Sequence, residues 1–264
     1  MRPHLAFVDS GSGGLPYLAR TRELLPDAVY SYVADPRNFP YGEKPPEELI
    51  GILVSNTKKI INILDPDVIV VACNTASVVG LKALRETFDL PFVGVVPAVK
   101  PAAVLSKNKR FGILATRETV GNPYTQELID AYALDSEVFR YAGIDIIRFI
   151  EERFFDVSDA QKREILGESV RYFRENSVDA VVLGCTHYLH LKNELAELLG
   201  GGVMIVDSVE GVARQTVKIA GGLARSGGET DSESALYLAG PAPSSHSLID
   251  FSALFGLEYK GVLS

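Results

Sequence analysis

Two cysteines are the residues of this chain best suited to chemistry, and both stand in the same local setting. Asp67-Val68-Ile69-Val70-Val71-Ala72-Cys73-Asn74-Thr75 matches Asp179-Ala180-Val181-Val182-Leu183-Gly184-Cys185-Thr186-His187 position for position. In each, an apolar run ends in a thiol, and hydrogen-bonding residues follow at what reads as the mouth of a helix. A cysteine so placed is either a small buried hydrophobe or a reactive group. A helix N-terminus lowers a thiol's pKa from about 8.5 and favours the thiolate, which supports the reactive reading. His187 follows Cys185 by two residues and could exchange a proton with it, although an isolated histidine is more often structural. His4, His190 and His246 read as surface or packing residues. Two cysteines and one histidine do not complete a four-ligand zinc site, and no Cys-x-x-Cys redox motif occurs. Asp9-Ser10-Gly11-Ser12-Gly13-Gly14 has a phosphate-loop look but lacks the Gly-Lys-Ser/Thr ending, and Asp9 would repel a phosphate. Its glycines better suit backbone amides that approach a small carboxylate. Glu151 and Glu152, at the end of an apolar run, read from the residues alone as a solvated helix face.

The elements that would hold these residues alternate between short apolar runs and longer helical patterns. Expected strands are Leu5–Val8, Val29–Val33, Val68–Ala72, Phe92–Val95, Phe111–Ala115, Glu137–Tyr141, Ala180–Gly184 and Val203–Val206. Most are apolar throughout, as in strands covered on both faces. Expected helices are Pro46–Ile63, Ser77–Glu86, Pro123–Ala131, Ala160–Glu175 and Leu189–Leu199. Such alternation implies an α/β fold with mainly parallel sheets and right-handed crossovers. Ligands of such sheets bind beyond the carboxyl ends of the strands. That is where Asp9-Ser10, Cys73-Asn74-Thr75, Thr116 and Cys185-Thr186-His187 fall. The internal repeat extends to Phe7-Val8-Asp9-Ser10 against Ile113-Leu114-Ala115-Thr116 and predicts two similar α/β lobes related by a pseudo-twofold, with the site between them. The first lobe is expected to take residues 1–97 and 207–264, the second 98–206. Ser208–Arg225 reads as a helix, Ala235–Leu238 as a strand and Pro241–Ser245 as a loop, in a tail that packs on the first lobe.

Bulk composition excludes several classes. The chain has 264 residues, with 47% hydrophobic and 23% charged, the balance of a globular protein able to bury a core without disulfides. A net charge of -8 argues against nucleic acid. Lys107-Asn108-Lys109-Arg110 reads as a solvated turn. No apolar stretch approaches the roughly 18 residues of a membrane span, and the N-terminal apolar run is too short for a signal peptide. A cytoplasmic location is expected, where thiols stay reduced and a structural disulfide is disfavoured.

Taken together, Phe7-Val8-Asp9-Ser10-Gly11-Ser12-Gly13-Gly14-Leu15, Pro40-Tyr41-Gly42, Ala72-Cys73-Asn74-Thr75-Ala76 and Leu183-Gly184-Cys185-Thr186-His187-Tyr188 resemble glutamate racemase. This is a cofactor-independent family within the aspartate/glutamate racemase superfamily, active in bacterial cell-wall synthesis. The two cysteine motifs alone indicate the superfamily, and the remaining motifs point to the glutamate branch. The resemblance implies a substrate enclosed between Cys73 and Cys185, with Asp9 assisting the first and His187 the second. The family's acid near the second cysteine best matches Glu151, with Glu152 as the alternative. Its Gly-Thr-x-x-Thr turn is Ala115-Thr116-Arg117-Glu118-Thr119 here, and Pro97-Ala98-Val99-Lys100-Pro101 stands where Glu-Pro-Gly is commoner. Ser10, Asn74, Thr75, Thr116, Thr119 and Thr186 would hold the ammonium and carboxylates, while Tyr41 and Gly42 would close the side-chain end. The family implies glutamate as the small-molecule partner, no metal or cofactor, and allows a homodimer.

Inversion at the α-carbon explains why two thiols would be needed. One group removes the proton from one face while another returns a proton to the opposite face. The α-proton is far less acidic than a thiol, so proximity and preorganised hydrogen bonds must supply most of the help. The rivals are a racemase for aspartate or another acidic amino acid, a non-catalytic amino-acid-binding protein on the same fold, and a thiol-redox enzyme.

Overall fold

The structure is a computed structural model that describes residues 2–223, 234–241 and 247–263. The chain divides into two compact units, Met1–Val95 with Val209–Ser264 and Val96–Ser208. Within the first unit run β1 (His4–Asp9), α1 (Leu15–Leu24), β2 (Val29–Ala34), α2 (Pro46–Leu64), β3 (Val68–Val71), α3 (Asn74–Thr87) and β4 (Phe92–Gly94). The second unit contains α4 (Val99–Leu105), β5 (Arg110–Ala115), α5 (Arg117–Gly121), α6 (Pro123–Tyr132), β6 (Glu137–Ala142) and α7 (Ile144–Arg153). It continues with α8 (Asp159–Glu175), β7 (Ala180–Gly184), α9 (Lys192–Leu199) and β8 (Met204–Val206). The chain then returns to the first unit as α10 (Val209–Gly221), β9 (Ala235–Leu238), α11 (Ser247–Leu254) and β10 (Glu258–Val262). His246 and most of the expected Pro241–Ser245 loop lie outside the described residues, as does Arg225.

Each unit is built on a parallel sheet, ordered β10-β9-β2-β1-β3-β4 in the first and β6-β5-β7-β8 in the second. The expected α/β class is the observed one. The central strands β1, β3 and β7 are buried along their whole length. This is why β3, β7 and the Leu5–Val8 stretch of β1 are unbroken apolar runs rather than alternating ones. Burying a Val, Leu or Ile side chain contributes about 1.5–3 kcal/mol, so each four- to six-residue central strand anchors its sheet strongly. At the sheet margins β6 is half-buried and β10 largely exposed, and β10 was not expected from the sequence.

Register makes the internal repeat physical. In the first unit Val8 lies beside Val71, and in the second Ala115 lies beside Gly184. Asp9 and Ser10 therefore leave β1 next to Ala72 and Cys73, as Ala115 and Thr116 leave β5 next to Gly184 and Cys185. Gly184 is required by close approach, because a Cβ there would lie 2.9 Å from that of Ala115.

At the opposite end of the first sheet, His4 is buried with its Nε2 2.8 Å from Ser31 Oγ. Burial lowers its pKa below the usual 6.5, against an upward pull from the Asp67 carboxylate. The unfolded chain thus binds this proton more readily than the fold. The stability contributed by neutral His4 is complete above about pH 6.5 and is lost as pH falls through the lowered value. The melting temperature should drop between pH 7 and pH 5, and His4→Gln should flatten that slope in a thermal-melt series.

Candidate functional site

Cys73 follows Ala72 in the two-residue link from β3 to α3, and Cys185 is the one residue between β7 and the 3-10 turn Thr186–Leu191. Their backbones are nearly superimposable in torsion, φ -139° and ψ 126° against φ -141° and ψ 137°. Neither is in a disulfide, and both are buried with 6% and 5% of their surface still open. The extended conformation at each cysteine ends the strand and aims the next residues into a helical turn. Cys73 thereby sits at the positive end of a 14-residue helix. After Cys185 the first turns are 3-10 and pass into α9 only at Lys192, not the α-helix from Leu189 that the sequence suggested. Thr186, His187 and Tyr188 are poor α-helix formers, and the Tyr188 N–H bonds the Cys185 carbonyl in a tighter turn.

Around Cys73 the groups are acidic and amide. Asp9 is fully buried and accepts the Ser10 N–H at 2.5 Å and the Ser10 hydroxyl at 3.3 Å. Asn74 is 1% exposed, and its side-chain nitrogen and oxygen find no hydrogen-bond partner among the described residues. An unpartnered buried amide costs about 1–3 kcal/mol, so one retained at a thiol points to a ligand that satisfies it. Thr75 is buried beside it, and Gly42 is half-buried in the 3-10 turn Tyr41–Glu43. Tyr41 is buried and donates to Asp35 Oδ2 at 2.9 Å. Its phenol is held protonated, first by burial, then by the Asp35 carboxylate, and further by the nearby Cys73 and Asp9. Those contributions place Tyr41, Asp35, Cys73 and Asp9 in one electrostatic neighbourhood.

Around Cys185 the groups form a line. His187 sets Nδ1 3.8 Å from Cys185 Sγ and Nε2 3.1 Å from Glu151 Oε2. All three side chains are buried, Glu151 to 4% exposure. The solvated-face reading of Glu151 therefore fails. On α7 the apolar face of Ile146, Ile147 and Ile150 carries on into Glu151, whereas Glu152 is exposed. With Glu151 ionised, Nε2–H donates to it and the Nδ1 lone pair faces the thiol. A proton can then leave sulfur for imidazole, and the carboxylate stabilises the imidazolium that results. Tyr188 ties this region together, with its hydroxyl 3.0 Å from the carbonyls of both Ala115 and Gly143. Thr186 is fully buried. Thr116 caps α5, accepting the Thr119 N–H at 3.1 Å and donating to its hydroxyl at 3.0 Å, and Thr119 is fully enclosed.

Asp35 escaped the sequence reading. It is buried at the carboxyl end of β2, where its carboxylate gathers Asn38, Tyr41 and Asn56. The strand-end rule, applied to β2 as it was to β1 and β3, would have found it.

The description Asp/Glu/Hydantoin racemase is that of the family model matching residues 17–216. The glutamate racemase of Glaesserella parasuis is 43% identical over 220 residues, 83% of this chain and 82% of that protein. That of Proteus mirabilis is 44% identical over 217 residues, 81% of this chain and 75% of that protein. Among solved structures, Escherichia coli glutamate racemase in complex with L-glutamate and the activator UDP-MurNAc-Ala superposes with a TM-score of 0.90 and 37% identity, covering 100% of this chain and 99% of that one. No helix among the described residues is long and apolar enough to cross a membrane. The chain is an isomerase that belongs to the Asp/Glu/Hydantoin racemase family and, within it, to the glutamate racemases.

Proposed function

We propose that this protein interconverts L- and D-glutamate without a cofactor, by a proton transfer in which Cys73 and Cys185 serve opposite faces of the α-carbon. The observation that carries the reading is the equivalence of the two thiols. Each stands just beyond the carboxyl end of an interior strand and immediately before a helical turn, in the same conformation, with its own proton-handling neighbours. One thiol acts as thiolate base and the other as acid, and the roles exchange with the handedness of the substrate. Asp9 assists Cys73, and His187 with Glu151 assists Cys185. The unsatisfied Asn74 amide, with Ser10, Thr75, Thr116 and Thr186, offers donors and acceptors for an ammonium and an α-carboxylate. Thr119 holds Thr116 in place. The Tyr41-Gly42 turn receives the side-chain end, and the protonated Tyr41 adds no charge to repel a second carboxylate.

The product would be D-glutamate for peptidoglycan, made in the cytoplasm where both thiols stay reduced. Purified protein given L-glutamate and no added cofactor should bring optical rotation to zero. L-aspartate, one methylene shorter, should react at least about tenfold more slowly, because a missing methylene is worth about 1–3 kcal/mol. Unchanged rotation with L-glutamate would refute the reading, and faster loss with L-aspartate would reassign the substrate.

A further inference from the structure

Tyr32 lies on β2, the strand next to β1, and is fully buried. Its hydroxyl donates to the Gly11 carbonyl at 2.7 Å and accepts the Gly14 N–H at 3.0 Å. One oxygen thus closes the loop that carries the chain from Asp9-Ser10 into α1. The other side of the loop is equally confined. A Cβ on Gly14 would stand 2.7 Å from the Ala72 Cβ, 3.0 Å from the Ala72 carbonyl and 2.9 Å from the Tyr32 hydroxyl. Ala72 is the residue before Cys73. The loop is therefore wedged between Tyr32 and the segment that delivers the thiol, with Asp9 and Ser10 at its entrance.

We propose that Tyr32 is a positioning residue for racemisation: its hydroxyl fixes the Ser10–Gly14 loop and, through it, the Asp9 carboxylate relative to Cys73. The link is the Ser10 peptide. Its N–H and side-chain hydroxyl both hold Asp9 Oδ1, so the direction of that peptide sets the direction of the carboxylate. Removing the Tyr32 oxygen leaves the Gly11 carbonyl and Gly14 N–H unpaired in a dry site, and the loop turns to seek other partners. The inference rests on the two-thiol reading of the site.

Tyr30 supplies the control. It is buried on the same strand and donates to the Leu25 carbonyl at 2.7 Å, away from the glycine loop. Wild type, Tyr32→Phe, Tyr30→Phe and Asp9→Asn would be compared for kcat, KM, melting temperature and the α-deuterium isotope effect in each direction. Tyr32→Phe should lose on the order of tenfold in kcat, less than the roughly hundredfold that a 1 Å misplacement costs. Its isotope effects should shift in the same directional sense as those of Asp9→Asn. Tyr30→Phe should lose melting temperature but keep wild-type kcat and isotope effects. If Tyr32→Phe is insoluble, a ring-fluorinated tyrosine at position 32 should give the same directional shift in smaller size. An active wild type with unchanged isotope effects in Tyr32→Phe, or with the same loss in Tyr30→Phe, overturns the proposal alone. A wild type inactive on glutamate overturns the functional reading with it.

Discussion

Cys73→Ser and Cys185→Ser should each lose racemisation by at least about a thousandfold, within the 10²–10⁴ that a positioned acid or base contributes. Serine keeps the size and hydrogen-bonding capacity of cysteine, so both variants should fold and bind substrate. What they lose is a proton donor whose pKa lies near enough to neutrality to work in both directions. The equivalence of the two strand ends makes a sharper expectation. With one thiol left, an enantiomer whose α-proton faces it can still exchange with solvent but cannot be inverted. Cys73→Ser and Cys185→Ser should therefore retain slow α-proton exchange on opposite enantiomers, as measured by proton NMR in deuterated water. Exchange of the same enantiomer by both, or full activity in either, would remove the two-thiol account.

Glu151→Gln should lower kcat on the order of a hundredfold, and Glu152→Gln should leave it near wild type. The carboxylate that Glu151 offers His187 Nε2 orients the ring and stabilises its protonated form. Glutamine fills the same space, and its carbonyl can still accept the Nε2–H, but it brings no charge to an imidazolium. His187→Asn should cost as much or more, because it removes the group that faces the sulfur at 3.8 Å. The double variant should be little worse than His187→Asn alone, since the acid acts through the imidazole and coupled residues are not additive. Glu152 is exposed, and a surface change away from the site moves stability by less than about 0.5 kcal/mol. Equal losses from Glu151→Gln and Glu152→Gln would break the assignment.

The sequence made the chemistry more legible than the frame around it, for physical reasons. Strands buried on both faces are apolar at every position, so β1, β3, β5 and β7 announce themselves and their carboxyl ends can be counted. β10 does not, because Glu258-Tyr259-Lys260-Gly261-Val262 is an edge strand with an exposed face. α1 begins in a glycine-rich loop and carries little amphipathic pattern, and packing on α10 and β2 holds it in place. Glu151 shows how a charge misleads. Beside Glu152 and Arg153 it resembles a solvated helix end, but it lies four residues after Ile147, on the face that α7 buries. Tyr32 is silent because its partners, Gly11 and Gly14, lie 21 and 18 residues away in sequence, whereas Asp35 stands at a strand end where the same rule that marks Asp9 applies.

The transfer of the α-proton itself tests the central claim most directly. Protein in deuterated water would be given protiated L-glutamate, and both enantiomers would be isolated after only a few per cent conversion. With one thiol on each face, the D-glutamate formed should carry deuterium at the α-carbon while the recovered L-glutamate remains protiated. D-glutamate that retains the original proton would show a single group serving both faces, and would contradict the assignment of Cys73 and Cys185.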